Sequence, residues 1–284
     1  MATTSILGIC TKLGLGRMEQ QLQNVKWSIH GVMLGFGMVE KKGYGQFCPI
    51  ALAAEILAER WMPLVIRELL CGSVRFNDLH RGVPRMSSAL LARRLKELQF
   101  AGIVEHRHGA RGGWEYHLTP AGRELFPVVE KMGLWAQRWL RHDLVDAANL
   151  DPDLLMWDIR RNVVNRDRPG GRRYVTEFQL SGVPTNRRRY WLMFERGLVD
   201  LCYRNPGFDI DLFVETSLRV LTQIWLGHVS IDQAIREDKL RLDGSRRDVA
   251  AFRSWFALSL FAPAGRAHSG QSYGNHASHQ TGDG

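Results

Sequence analysis

Cysteine is scarce in this sequence, which has four among 284 residues. A chain of this length with so few cysteines has no disulfide framework and is typical of a reducing compartment, so we expect a cytoplasmic protein. No apolar run approaches the roughly 18 residues that a membrane span needs. The Walker A loop, the GxSxG elbow, the HExxH pair and the Cys-x-x-Cys pair are also missing. We therefore expect no enzyme, no metal site and no cofactor.

Positive charge is what the chain has in excess. Its formal net charge is +9 at pH 7. A basic balance favours nucleic acid or an anionic surface as a partner, but by itself it does not choose between them. The length corresponds to roughly two domains.

The stretch from 48 to 140 decides between these partners. Three short helical patterns, the third rich in arginine, precede two strand-like runs joined by a Gly/Arg turn, and one long amphipathic helix follows. Gly82-Val83-Pro84 breaks the chain before the arginine-rich helix, as the tight connection of a helix-turn-helix does. The two strand-like runs predict a basic hairpin. This order predicts a winged helix-turn-helix with double-stranded DNA as its partner.

The arginine-rich helix is the predicted reading element. Ser87 or Ser88 can cap its N-terminus, and Leu91, Leu95 and Leu98 form a buried stripe. The remaining face suits the major groove, and the hairpin suits phosphates or a minor groove. For each basic residue taken alone, a merely solvated surface is the alternative. The candidate DNA-binding residues are Ser87, Ser88, Ala89, Arg93, Arg94, Lys96, Arg107, His108 and Arg111.

Several motifs in this stretch occur in a known order. They are Cys48-Pro49-Ile50, Arg67-Glu68-Leu69-Leu70, Arg75-Phe76-Asn77-Asp78-Leu79, Arg94-Leu95-Lys96-Glu97-Leu98, Ala101-Gly102-Ile103-Val104 and Tyr116-His117-Leu118-Thr119-Pro120-Ala121-Gly122. In these motifs the chain resembles the HxlR-type family of bacterial winged-helix transcriptional regulators. The resemblance implies a homodimer that binds a near-palindromic operator.

The helix after the hairpin has its own expected role. Thr119 is expected to cap it, Pro120 to occupy its first position and Pro127 to kink it. Its apolar stripe packs either inside its own chain or against a second subunit. We favour the second subunit, because a two-fold operator requires a two-fold protein. The predicted dimerisation residues are Leu52, Ile56, Val128, Met132, Trp135 and Trp139.

Cys48 is a candidate redox sensor. We expect it at the N-cap of the first helix, with Pro49 at the first helical position, where the helix dipole would stabilise its thiolate. The family resemblance supports this role, because some such regulators sense oxidants or electrophiles with a cysteine at this position. A structural cap without a signalling role is the alternative.

The second half, from 150 to 262, predicts an α+β domain, because strand-like runs come first and helices after them. It resembles the SCP2-like sterol-carrier fold in Asp211-Leu212-Phe213-Val214-Glu215-Thr216, Leu240-Arg241-Leu242-Asp243-Gly244 and Phe252-Arg253-Ser254-Trp255-Phe256. The resemblance implies a cavity for a small hydrophobic effector, and a filled aromatic core is the alternative. The candidate pocket residues are Trp191, Phe213, Trp225, Trp255 and Phe256.

These observations predict four segments. Residues 1–42 are a poorly structured or over-long start, 43–142 the DNA-binding domain, 150–262 the SCP2-like domain and 263–284 a disordered tail. We expect Asp151 and Asp153 to lie in a linker, and the first domain to bind DNA without the second. The predicted function is a dimeric transcriptional regulator. The alternative is a hydrophobic-ligand or lipid carrier with a basic assembly domain, which the salt dependence of DNA binding would distinguish.

Overall fold

A computed structural model describes residues 43–110, 112–163 and 173–264 of the chain. The described residues from Tyr44 onward form one compact unit. The expectation of a poorly structured or over-long start concerns residues outside the described ones, and so does nearly all of the expected tail.

Four helices, rather than the three short patterns expected, precede the hairpin. They are α1 (Pro49–Leu57), α2 (Met62–Leu70), α3 (Phe76–Gly82) and α4 (Ser88–Phe100). Apolar residues of α2, α3 and α4 are fully buried in one core, which Leu79, Leu91 and Leu95 exemplify. The arginine-rich helix of the sequence is therefore α4, and α3 with α4 forms the helix-turn-helix.

The hairpin consists of β1 (Val104–His108) and β2 (Trp114–Leu118), which pair antiparallel with Val104 opposite Leu118. The amide of Tyr116 also donates to the carbonyl of Val74 at 2.8 Å. The hairpin is thus anchored to the segment that leads into α3, as the wing of this fold requires.

The expected long helix is divided in two. A short helix α5 (Pro120–Arg123) ends before α6 (Phe126–Trp139) begins. Thr119 caps α5 as expected, because its hydroxyl accepts from the Gly122 amide at 3.1 Å. Pro127 does not kink a continuous helix. It lies in the first turn of α6, where its missing N–H leaves no hydrogen bond unmade.

The second region is built on a mixed sheet of five strands. Its elements are α7 (Pro152–Asn162), β3 (Tyr174–Ser181), β4 (Arg189–Glu195), β5 (Leu198–Cys202), β6 (Leu212–Ser217), α8 (Leu218–Trp225), α9 (Ile231–Arg236), β7 (Leu240–Gly244) and α10 (Arg246–Trp255). The strand order is β5-β4-β3-β6-β7, and β3 pairs with β6 in parallel. All four helices contribute to the core on one face of this sheet. The α+β architecture expected from the sequence is confirmed.

Helix α7 replaces part of the expected linker. The Asp151 carboxylate accepts from the amides of Asp153 and Leu154 at 3.0 and 3.2 Å, and Pro152 follows at the first helical position. Asp151 and Asp153 therefore start a helix, because an acidic N-cap followed by proline satisfies the free amides of the first turn.

Candidate DNA interface

Helix α4 is fixed at its N-terminus and along its apolar side. The Ser87 hydroxyl accepts from the Leu90 amide at 3.3 Å, so Ser87 is the N-cap and Ser88 the first residue of the helix. Leu91, Leu95 and Leu98 are fully buried. Before the helix, His80 Nε2 lies 2.8 Å from the Met86 carbonyl oxygen and braces the turn. These contacts fix which face of α4 is presented.

The presented face is small at its N-terminal end and basic further on. Ser88 and Ala89 are exposed in the first turn, and Arg93 and Lys96 are exposed four and seven residues after Ala89. Arg93 is 72% exposed at its side chain and lies 3.0 Å from the carboxylate of Glu97, one turn later. A helix with this distribution can enter a major groove, whose width admits an α-helix.

Arg94 does not belong to this face, contrary to its selection as a candidate. Its residue exposure is 8%. Its guanidinium donates to Glu97 at 2.6 Å and to Glu59 at 2.9 Å. The reason is helical spacing: position 94 falls between Leu91 and Leu98 on the buried side, so the charge is neutralised inside the domain.

The wing presents its candidates on two faces. Arg107 and His108 are consecutive strand residues and therefore point to opposite sides of the hairpin. Arg107 is 3.3 Å from the Glu105 carboxylate and remains largely exposed. The His108 ring is tilted against Trp114 at a centroid distance of 4.1 Å. Arg111 lies outside the described residues.

An apolar surface runs along α6, the helix that follows the wing and α5. The side chains of Val128, Met132, Trp135 and Trp139 are 38–56% exposed in the single chain. Leu52 of α1 is 51% exposed. Ile56, in contrast, is partly buried and packs against the helical core.

Cys48 caps α1 as expected. It adopts an extended backbone, makes no side-chain hydrogen bond to the helix and precedes Pro49 in the first turn. Its thiol is free and partly buried.

The five candidate pocket residues do not surround one cavity. Trp225, Trp255 and Phe256 belong to the buried core between sheet and helices. Trp191 and Phe213 lie in register on either side of Glu177, on the other face of the sheet, and the Trp191 indole donates to the Glu177 carboxylate at 3.0 Å. Alternation along the strands separates the two groups.

Sequence reasoning missed the arginines that flank the helix-turn-helix turn. Arg85 donates to the carbonyls of Ala148 and Leu150 at 2.9 and 3.1 Å. The Arg81 guanidinium lies 5.3 Å from the Trp157 ring. Both partners are distant in sequence, so no local pattern could have indicated them.

Within residues 43–110, 112–163 and 173–264, no cluster of three or more metal-ligating side chains is present. Over the same ranges, none of the helices has the length and apolar character needed to cross a bilayer.

Comparisons with known proteins match the first region. The model of the HxlR-like helix-turn-helix family matches residues 56–144. The uncharacterized HTH-type transcriptional regulator YvaP of Bacillus subtilis is 34% identical over 104 residues, which are 36% of this chain and 96% of YvaP. The HTH-type transcriptional regulator YodB of the same organism is 35% identical over 95 residues, 32% of this chain and 85% of YodB. A solved structure of reduced YodB covers 33% of this chain and 95% of its own, at 34% identity and a TM-score of 0.30.

A capped helix behind a braced turn, with a hairpin wing beside it, defines a winged helix-turn-helix transcriptional regulator. Both relatives are named as HTH-type transcriptional regulators. This chain belongs to the HxlR-like helix-turn-helix family.

Proposed function

We propose that this protein is a dimeric, sequence-specific DNA-binding regulator in which α4 reads the major groove and the wing lies along the phosphate backbone. The observation that carries the proposal is the two-sided character of α4. Leu91, Leu95 and Leu98 hold one side in the core, while Arg93 and Lys96 extend from the other. Arginine and lysine on such a helix can bind guanine edges and phosphates.

The test is footprinting on the gene's own upstream region, followed by fluorescence-anisotropy titrations at several salt concentrations. A sequence reader binds the footprinted duplex more tightly than a scrambled duplex of equal length. The logarithm of its affinity also falls linearly with the logarithm of salt concentration. Equal affinity for both duplexes would refute sequence-specific reading.

The apolar surface on α6 supports dimerisation. Four large side chains exposed at helical spacing are costly for a single chain in water, and a second copy is the occupant that a two-fold operator requires. Leu52 extends the same proposal to α1. Ile56 would support the dimer surface indirectly, because it packs α1 against the helical core.

Cys48 is our proposed redox switch. The support is its place at the N-cap of α1, directly before Pro49, with a free and partly buried thiol. Oxidation or alkylation there would alter the start of α1, close to Leu52 of the proposed dimer surface.

For the second region we propose an SCP2-like ligand domain that takes a small hydrophobic effector. Tyr174 Oη, Thr176 Oγ1 and Trp255 Nε1 are buried without a hydrogen bond of good geometry among the described residues, and Tyr174 lies near the other two. Buried polar atoms normally have partners. A ligand with an apolar body and one polar group would satisfy such a cluster within an aromatic core.

Titration of the full chain with a fluorescent fatty acid tests this effector proposal. Saturable binding that changes operator affinity supports an effector. Binding without any change in operator affinity favours the lipid-carrier alternative. No saturable binding refutes the ligand domain.

A further inference from the structure

A buried carboxylate of the proposed DNA-binding domain is balanced by two arginines, one beside it on its own helix and one from the second region. Glu68 of α2 has no exposed surface. Its carboxylate accepts from Arg67 of the same helix at 2.5 Å and from Arg161 of α7 at 3.0 and 3.1 Å. Removing one partner from a buried ion pair leaves an uncompensated charge, which is strongly unfavourable. Part of the charge that balances Glu68 thus comes from a residue 93 positions away.

Arg161 is held in place for this contact. It donates to Asp158, one turn earlier on α7, at 2.6 Å. Burial lowers the pKa of Arg161. The carboxylates of Asp158 and Glu68 raise it by more than burial lowers it, so the pKa lies above its ordinary value. The guanidinium therefore stays charged within the interface.

The same cluster touches the turn between α3 and α4. Gly82 lies so close to Glu68 that an added Cβ would be 1.8 Å from its carboxyl carbon. Arg67 donates to the Gly82 carbonyl at 3.1 Å. A shift of the Glu68 carboxylate would therefore displace the turn that sets the direction of α4.

Two further arginines, one on each side of the turn between α3 and α4, also contact the second region or the segment that leads into it. Arg81, at the end of α3, lies over the ring of Trp157, which is itself 3% exposed. Arg85, just before α4, reaches the carbonyls of Ala148 and Leu150 at the start of the second region. Cation–π contacts and charged hydrogen bonds of this kind fix orientation as well as distance.

Helix α7 lies outside the part of the chain that its relatives share. The family model ends at residue 144, and α7 begins at Pro152. YvaP is matched over 96% of its own length by 104 residues. The contacts to α7 thus involve residues beyond the segment that the family model matches.

We propose that α7 positions the helix-turn-helix through Arg161 and Trp157, so that the state of the second domain is coupled to operator affinity. This inference rests on the proposed DNA-binding function. It is at odds with the expectation that the first domain binds DNA unaided. Arg161 is a positioning residue here, since it acts on the turn through Glu68.

The test compares Arg161→Met with the parent chain at a temperature where circular dichroism shows both to be folded. We expect operator affinity to fall by about 5- to 150-fold, the range typical of coupled sites, with little change for scrambled DNA. The double variant Glu68→Gln/Arg161→Met should recover part of the loss, because it removes one carboxylate together with one guanidinium and leaves Arg67 to balance Asp158. Arg219→Met, the same change at an exposed position of α8, is the matched control.

Hydrogen exchange of the amides from 82 to 88 gives a readout that does not require DNA. We expect faster exchange in Arg161→Met and parental exchange in Arg219→Met. If Arg161→Met does not fold, Arg161→Lys replaces it, since lysine keeps the charge but lacks the planar guanidinium whose donors have a fixed geometry. Parental affinity and parental exchange in the folded variant would overturn the coupling. A parent chain without sequence preference would instead refute the proposed function, and the exchange result would still decide the coupling.

Discussion

The guanidinium of Arg94 donates a 2.9 Å hydrogen bond to the carboxylate of Glu59, which lies 35 positions earlier in the chain. Glu59 follows α1, so this pair fastens α4 to the segment between α1 and α2. Two adjacent arginines of one helix therefore differ in role: Arg94 holds the helix, and Arg93 is presented to solvent.

Replacing Arg94 with alanine should destabilise the fold. The change removes the charged hydrogen bonds that Arg94 donates to the partly buried carboxylates of Glu59 and Glu97, which costs about 1–3 kcal/mol. Urea unfolding measures the loss. Arg93→Ala is the control and should change the free energy of unfolding by less than about 0.5 kcal/mol, because its ion pair is exposed. Equal losses in both variants would contradict the assignment.

Replacing Arg93 with alanine should instead weaken operator binding. A bidentate base contact contributes about 1–3 kcal/mol of discrimination, and the variant should lose preference at one base pair. Arg107→Ala in the wing should weaken all sequences alike and reduce the salt slope by about one. Anisotropy titrations on operator and scrambled duplexes separate the two effects. Parental binding by both variants would show that the groove assignment is wrong.

The double variant Trp135→Ala/Trp139→Ala should be monomeric. Each buried aromatic side chain contributes about 1.5–3 kcal/mol to an apolar interface. Trp114→Ala on the wing, where the indole is 55% exposed, is the matched control and should stay dimeric. Sedimentation velocity reports the outcome, and an intact dimer in the double variant would exclude this face of α6.

The Cys48→Ser variant should bind operator normally and no longer respond to diamide or quinones. Serine preserves the cap position but cannot be oxidised as a thiolate can. Cys71→Ser, at another free and exposed cysteine, should keep the parental response. Loss of the response in Cys71→Ser but not in Cys48→Ser would identify Cys71 as the sensor.

Acid should weaken the attachment of α4. Burial raises the pKa of Glu97, but hydrogen bonds from Arg94 and Arg93 lower it more, so its pKa in the folded chain lies below 4.5. A depressed carboxyl pKa stabilises the fold above the unfolded-state value, and this stabilisation is lost as the pH falls through the folded value. Glu97→Gln should therefore flatten the decline of unfolding free energy below about pH 4.5. If the free energy of unfolding of Glu97→Gln declines below about pH 4.5 as steeply as that of the parent chain, Glu97 does not stabilise the fold in this way.

Local signals in the sequence were sufficient for the helix-turn-helix and the wing. Ser87, Gly82 and the Gly-rich turn before Trp114 act through their own neighbours, and the structure places them as expected. Helix α7 also had a local signal, since Asp151-Pro152 precedes Leu155 and Ile159 at helical spacing. That signal was outweighed by the resemblance of Asp-Pro-Asp to a linker.

The contacts between the two regions had no such signal. Glu68 lies in a motif of the family segment. Arg161 lies in a stretch of the second domain for which the sequence predicted no motif, and nothing around either residue indicates that they pair. The same limit applies to Arg94, whose charge suggested a surface although its spacing from Leu91 and Leu98 indicated burial. Charge is a weaker guide than helical position when acidic partners come from elsewhere in the chain.

The pairing of Glu68 with Arg161 also has a consequence for folding during synthesis. A ribosome completes α2, α3 and α4 well before it reaches α7, and N-terminal domains generally begin to fold first. During that interval Glu68 has only Arg67 of these two arginines beside it. Under the proposed coupling, the DNA-binding domain reaches its final form only after α7 has emerged, and we expect a prematurely terminated chain to compete poorly for the operator.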